Sequence, residues 1–249
     1  MENEAMEIVW LQAVIDLPGE DFEAAGDFWA TVSATRRGDV HPEHPEYVHL
    51  LPAEGDMTLE LQRLGDGPPS VHLDLVVNDI PAWTERAVSC GATLIANPGH
   101  AVLTTPGGVP FCIVPASGEA QRPPAIDPDL PHAADQICLD VPNEHFEADV
   151  AFWSELTGWA ANPPMMPEFR SFAQPPHLPL RILVQQLGED DPGPARAHLD
   201  FAAGENVTDV AARHVDAGAT VSGEFDHWTA LHDPAGLPYC VTRRRPNVP

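Results

Sequence analysis

Apolar and polar residues alternate over two short stretches of this sequence that are nearly identical. Residues 71–77 read Val-His-Leu-Asp-Leu-Val-Val, and residues 197–201 read Ala-His-Leu-Asp-Phe. Alternation with a period of two predicts β-strands that carry the histidine and aspartate on one face and the leucine on the other. A helical run ending in Gly-Ala-Thr follows each copy. Because His72 and His198 are 126 positions apart in a chain of 249 residues, the pattern indicates a tandem duplication of one unit.

The first half of the chain divides into elements by the same reasoning. Residues 8–18 predict a strand that stops at Pro-Gly, and residues 20–33 predict an amphipathic helix whose apolar face includes Phe28 and Trp29. A second helix is expected at 80–91, and the remaining strands are expected at 46–51, 57–64, 71–77, 93–97, 100–104 and 110–115. Residues 34–45 predict no regular element. Each half of the chain is therefore predicted to contain two modules in succession, each a strand followed by a helix and three strands.

Most of the first half recurs in the second. The strand at 12–18 matches 136–142, and the turn and strand at 105–112 match 233–240, with offsets that drift by a few residues. Such drift is typical of loop insertions in a duplicated chain. The duplication predicts a first domain at 1–117, a proline-rich linker at 118–133 and a second domain at 134–249.

Composition narrows the classes of function. The 38 acidic residues outweigh 12 basic ones, all arginine, so the formal charge is −26 and no nucleic-acid partner is expected. The absence of lysine excludes a lysine Schiff base. No apolar run reaches the length of a membrane span, and the acidic N-terminus does not resemble a secretory signal. We therefore expect a soluble cytoplasmic protein without membrane contact, whose four cysteines are free thiols.

Three signatures carry a family resemblance. The first is a strand ending in Asp-x-Pro before a helix that ends in Phe-Trp. The second is Gln-x-Leu-Gly-Asp/Glu before His-Leu-Asp, and the third is Asp-Pro-x-Gly-x-Pro-aromatic-Cys in the last strand. With four βαβββ units, the chain resembles the vicinal-oxygen-chelate superfamily, which includes glyoxalase I, bleomycin-resistance proteins and extradiol dioxygenases.

The resemblance implies an α+β fold with two tandem glyoxalase/bleomycin-resistance-type domains. Each domain would contain two βαβββ modules that form a cup-shaped mixed sheet. Because single-domain relatives pair as dimers, the tandem implies either a monomeric pseudo-dimer or a homodimer.

The resemblance also implies a divalent metal, namely zinc, nickel, iron or manganese, held by side chains on the floor of a cup. The family positions in the first half are occupied by Gln12, Glu60, His72 and Cys112. Those in the second half are occupied by Gln136, Leu183, His198 and Cys240. Cysteine replaces the usual glutamate at the last position, and leucine cannot bind a metal. The alternative is that Gln12 and His72 only hydrogen-bond in a polar cup while Cys112 is a small buried hydrophobe.

Several other side chains are candidates for contact with a ligand. Asp74 and Asp200 share a strand face with the two histidines. Trp228 beside Tyr239 predicts an aromatic wall for a flat ligand. The other polar candidates for the inside of the cups are His49, Gln62 and Gln185.

Three functions are compatible with these residues. The first is a protein whose cups bind a small aromatic or cationic molecule without turnover, and the cysteine replacements favour it. The second is a metal-dependent lyase or isomerase of the glyoxalase I type, in which Glu60 acts as the base on a vicinal-oxygen substrate. The third is an interaction protein with degenerate cups.

Overall fold

The computed structural model describes residues 6–40, 43–188, 191 and 193–246. The elements of the first half are β1 (Ile8–Pro18), α1 (Phe22–Val32), β2 (Thr35–Arg37), β3 (Tyr47–Pro52), β4 (Leu59–Leu64), β5 (Ser70–Val77), α2 (Ile80–Ser89), β6 (Thr93–Ala96), β7 (Ala101–Thr104) and β8 (Pro110–Pro115). These bounds confirm the predicted elements within a few residues. The short strand β2 is additional, because it lies in the stretch for which the sequence pattern predicted no element.

The elements of the second half are β9 (Ala133–Val141), α3 (Phe146–Thr157), β10 (Phe169–Ser171), β11 (Arg181–Gln186), β12 (Arg196–Ala202), α4 (Val207–Asp216), β13 (Thr220–Glu224), β14 (Trp228–His232) and β15 (Pro238–Thr242). In the described part of the third module, two strands follow α3 instead of three. The missing strand is reduced to a bridge between Ala161 and Phe172. Prolines at 163, 164 and 167 lack the backbone N–H that a strand ladder needs.

The described strands form two mixed sheets, one of eight strands and one of seven. The pairs β1/β4, β5/β8 and β12/β15 are parallel, whereas the hairpin pairs are antiparallel. This arrangement confirms the predicted α+β fold of tandem modules. Among the described residues, no helix is long and apolar enough to cross a membrane.

Local chemistry sets the ends of the helices. The side chain of Asp79 accepts a 3.0 Å hydrogen bond from the backbone N–H of Ala82, and Pro81 occupies the first turn of α2. Both features are typical of a helix start, because the first N–H groups lack partners within the helix. Helix α3 ends at Gly158, whose φ of 76° lies in the left-handed region that glycine adopts readily.

The chain divides into two compact units, and each takes segments from both halves of the repeat. Unit 1 consists of Met1–Gln12, His72–Ala120 and Cys138–Ala197. Its strands lie in the orders β5-β8-β7-β6 and β10-β11-β9. Its core includes the fully buried Trp153, whose ring contacts Phe111 edge-on at 5.3 Å.

Unit 2 consists of Ala13–Val71, Gln121–Ile137 and His198–Pro249. Its strands lie in the orders β2-β3-β4-β1 and β12-β15-β14-β13. Its aromatic core repeats that of unit 1, since the fully buried Trp29 contacts Tyr239 edge-on at 5.2 Å. His214 is also buried in this core, 4.8 Å from the ring centroid of Phe201.

Candidate metal centre

Strand register brings three chemically active side chains of unit 1 to one face. Strands β5 and β8 are parallel neighbours in which Asp74 is paired with Cys112. His72 shares the face of Asp74 because it lies two residues earlier on the same strand. The alternate residues, Leu73 and Phe111, are fully buried in the core. Alternate residues of these two strands therefore point to a polar face and to the hydrophobic core.

The three side chains converge on a small volume. His72 Nε2 lies 3.3 Å from Asp74 Oδ1, and the ligand atoms of His72, Asp74 and Cys112 all lie within 4.8 Å of one another. Asp74 is only 7% exposed, and its Oδ1 accepts no hydrogen bond. A buried carboxylate oxygen without a hydrogen-bond donor is costly, so the site favours a cation beside it.

Burial controls the protonation of the thiol. It raises the pKa of Cys112 above its ordinary value, while a hydrogen bond from His72 acts in the opposite direction. Cys112 is therefore a thiol at neutral pH unless a positive charge stabilises the thiolate. A bound metal ion provides such a charge.

The donor set fits a divalent transition metal. Zinc binds histidine nitrogen, cysteine sulfur and carboxylate oxygen, with ligands about 2.0 to 2.3 Å from the ion and hence about 3.3 to 3.8 Å from one another. The separation of 3.3 Å between His72 and Asp74 already matches this spacing. Three protein ligands also leave a coordination position for a small molecule, as in open zinc sites.

The corresponding face of unit 2 has a different hydrogen-bond network. Gln136 Nε2 donates to Asp200 Oδ2 at 2.5 Å. His198 Nε2 lies 3.4 Å from Asp200 Oδ1 and 3.8 Å from Cys240 Sγ. The amide therefore pairs with Oδ2 of Asp200 and His198 faces Oδ1, whereas in unit 1 Oδ1 of Asp74 accepts no hydrogen bond.

A buried arginine adds to the contrast between the two faces. Arg244 donates to Asp135 Oδ2 at 2.8 Å, and the negative charge of Asp200 also contributes to raising the pKa of Arg244. The guanidinium therefore acts on Asp200 as a fixed cation. A second cation at this carboxylate would be repelled, which disfavours a metal in unit 2.

The other predicted ligands of the first half lie on separate strands. Gln12 is 6% exposed on β1 and belongs to unit 1. Glu60 lies on β4 in unit 2 and accepts a 3.0 Å hydrogen bond from His49 Nε2. That hydrogen bond raises the pKa of His49, despite an opposing effect of burial. The contact therefore pairs the side chain of Glu60 with a histidine.

Two glutamines that were predicted to contact a ligand, Gln62 and Gln185, lie on strands next to other polar side chains. Gln62 on β4 is paired with Asp16 of β1 in the parallel register. Gln185 on β11 accepts a hydrogen bond from the thiol of Cys138 at 3.4 Å. Leu183 lies on the same strand face as Gln185, two residues earlier, and offers no ligand atom.

The predicted aromatic wall is wrong, because its two members lie on opposite faces of their sheet. Trp228 is paired with Thr242, whereas Tyr239 is paired with Leu231. Tyr239 is 1% exposed and its hydroxyl lies 3.1 Å from His214 Nδ1, so it is a core residue. Trp228 instead stacks on Phe225, a residue that the sequence analysis did not single out.

Comparison with known protein families gives a match over most of the chain. A family model described as a glyoxalase-like domain matches residues 12–114 and again residues 136–242. Each match falls within one half of the repeat. A comparison with curated protein sequences yields no match.

Solved structures share the fold at low sequence identity. Catechol 2,3-dioxygenase is 14% identical with a TM-score of 0.60, covering 98% of this chain and 90% of that one. The 2,3-dioxygenase LapB from Pseudomonas sp. KL28 is 13% identical with a TM-score of 0.63, covering 93% and 90%.

A third similar structure is much longer than this chain. It is a xylose isomerase-like TIM barrel/4-hydroxyphenylpyruvate dioxygenase fusion protein, 13% identical with a TM-score of 0.62. The match covers 97% of this chain but only 50% of the fusion protein. These similarities show a common fold.

Proposed function

Because this chain belongs to the glyoxalase-like domain family, we propose that it is a small-molecule-binding protein with a divalent metal in unit 1. His72, Asp74 and Cys112 would hold the metal. The observation that carries the proposal is the convergence of their ligand atoms within 4.8 Å, together with a buried oxygen of Asp74 that accepts no hydrogen bond. By the repeat, Gln12 is the counterpart of Gln136 and would supply an amide beside Asp74.

The ligand types favour zinc among the first-row metals. A thiolate and an imidazole suit zinc, whereas sites built only of oxygen ligands suit magnesium or manganese. When bound, the metal would polarise an oxygen atom of a small molecule placed at an open coordination position. His72 and Asp74 would fix the position of the ion, and Cys112 would release its proton on binding.

Binding without turnover is the function that the site supports best. Catalysis of the glyoxalase type needs a base besides the metal ligands. Glu60, the predicted base, is hydrogen-bonded to His49, and Asp74 would itself be a ligand. The proposed protein therefore retains its ligand unchanged.

The second candidate is a metal-dependent lyase or isomerase acting on a vicinal-oxygen substrate. One observation favours it, namely that the cluster supplies three protein ligands, as catalytic zinc sites do. The two candidate functions can be distinguished by incubating the metal-loaded protein with the hemithioacetal of methylglyoxal and glutathione. Formation of a thioester would establish the lyase and contradict binding without turnover.

Cobalt substitution tests the proposed ligands directly. Cobalt(II) bound to a thiolate has an intense charge-transfer absorption, which we expect in the wild-type protein and not in Cys112→Ser. Cys90→Ser is the matched control, because Cys90 lies outside the cluster. An unchanged spectrum in Cys112→Ser, or no cobalt binding by the wild-type protein, would contradict the proposal.

A further inference from the structure

The hairpin between β13 and β14 in unit 2 carries an exposed aromatic pair. The rings of Phe225 and Trp228 are stacked, with centroids 4.9 Å apart and planes inclined by 24°. Phe225 is 55% exposed. The backbone N–H of Phe225 donates to the carbonyl of Trp228 at 2.9 Å, which closes the turn between them. A large aromatic surface is thus presented to solvent on a tight turn.

The phenylalanine ring lies close to the backbone of its own hairpin. A Cβ atom at Gly223 would lie 2.8 Å from Cε2 of Phe225, so the ring rests where any larger residue would collide with it. The register of β13 and β14 also shifts between Val221 and Gly223, next to this glycine. A ring that is already in place loses little conformational entropy when it binds a partner.

The pair is not part of the repeated framework. In unit 1 the β6–β7 hairpin is one residue shorter, and the strand register places Pro98 and His100 where unit 2 has Phe225 and Trp228. The same strands form there without an aromatic stack, so the fold does not require one. Phe225 and Trp228 are therefore an addition specific to unit 2.

The charges around the aromatic pair favour a positively charged ligand. Glu224 and Asp226 flank Phe225 and are both exposed. Arg243, whose backbone N–H donates to the carbonyl of His227, is paired with Glu205 at 3.4 Å, which partly offsets its charge. Aromatic faces and carboxylates both attract positive charge, and the formal charge of −26 adds to this attraction.

We propose that Phe225 and Trp228 form a binding platform for a flat cationic aromatic molecule. The molecule stacks on the exposed face of Phe225, and the carboxylates of Glu224 and Asp226 lie beside its charge. All of these residues belong to unit 2, so this platform is distinct from the metal centre of unit 1. A test of ligand binding at this platform therefore does not depend on whether the proposed metal binds in unit 1.

Proflavine, a planar cation with three fused rings, is a suitable probe, and 9-anthracenecarboxylate is an anion of the same shape. Equilibrium dialysis of the full chain in excess chelator measures binding to the platform without metal. We expect proflavine to bind, and Phe225→Ala to weaken binding about 5- to 20-fold, as expected for one lost ring contact. Phe225→Tyr should retain the affinity.

The control variant is Ile95→Ala, because Ile95 is 60% exposed on β6, an edge strand of unit 1. It should bind proflavine like the wild-type protein. Equal affinity in Phe225→Ala and wild type, or anion binding as strong as proflavine binding, would overturn the proposal. Self-association that disappears in Phe225→Ala would also overturn it, since the pair would then be a contact between copies.

Discussion

Trp29 Nε1 donates a 2.8 Å hydrogen bond to Asp233 Oδ2, joining residues 204 positions apart inside unit 2. Asp233 also accepts bonds from the backbone N–H groups of Ala235 and Leu237, both at 2.8 Å. In unit 1, Thr105 stands where the second half has Asp233, and Trp153 Nε1 makes no hydrogen bond. In unit 2, a carboxylate on the strand turn therefore ties that turn to a helix through Trp29.

Replacing Asp233 by alanine should destabilise the protein by about 2 to 5 kcal/mol, because three donors, two of them in buried hydrogen bonds, lose their acceptor. Trp29→Phe removes a single donor and should cost less, about 1 to 2 kcal/mol. Urea unfolding measures both changes. Asp39→Ala, at an exposed aspartate, should change stability by less than about 0.5 kcal/mol. A similarly small effect of Asp233→Ala would refute the role of this carboxylate.

Unit 1 uses a carboxylate on the helix instead of the turn. Asp149 of α3 accepts hydrogen bonds of 2.6 Å from the Thr105 hydroxyl and from the Gly107 N–H. Asp149 is fully buried, and burial raises the pKa of its carboxyl against the opposing effect of both bonds. The close approach of the Gly107 backbone depends on the absence of a side chain.

Gly107→Ala should therefore destabilise the protein by about 1 to 3 kcal/mol. Its Cβ would lie 2.8 Å from Val141 Cγ1 and 2.9 Å from the Asp149 carboxylate oxygens. Gly65→Ala is the control, because no atom lies within 4 Å of its added Cβ. Chemical denaturation of both variants gives the comparison, and equal stability of the two would contradict the contact.

Acid should destabilise the protein through His214. Burial, followed by repulsion from His132, lowers the pKa of His214 to about 3 in the folded protein, against 6.5 when unfolded. A depressed histidine pKa means that the unfolded state binds the proton more tightly. Stability is therefore present above pH 6.5 and is lost progressively as the pH falls toward 3, by about 2 kcal/mol at pH 5.

His214→Phe isolates this contribution, because phenylalanine can keep the edge-on contact with Phe201 but cannot be protonated. Unfolding free energies at pH 7.5 and pH 5 should differ less in the variant than in the wild-type protein. His132 has a pKa that burial also lowers, so part of the acid sensitivity should remain. The same pH dependence in both proteins would show that His214 is not responsible.

The repeat explains why the fold could be predicted. Each half carries the same spacing of strand and helix signals, so an error in one copy is corrected by the other. The third module is the exception, because its prolines remove a strand that the repeat predicted. Contacts such as Trp29 with Asp233 could not be predicted, since no local pattern reports which distant turn a helix will meet.

The candidate site was predictable only in part. His72 and Cys112 were named as metal ligands from the family positions, but Asp74 was named only for ligand contact. Its proximity to both depends on the register of β5 with β8, which sequence alone does not give. The error at Tyr239 was avoidable, because Cys240 is its neighbour and adjacent strand residues point to opposite faces.

The central claim is that one metal ion binds, in unit 1, to His72, Asp74 and Cys112. The direct test is the zinc content of protein purified without chelator or nickel affinity, compared for wild type, His72→Ala and His198→Ala. The account predicts one equivalent in the wild-type protein, its loss in His72→Ala and its retention in His198→Ala, because the positive charge of Arg244 near Asp200 disfavours a metal in unit 2. Metal that survives in His72→Ala and disappears in His198→Ala, or no metal in any of the three proteins, would contradict it.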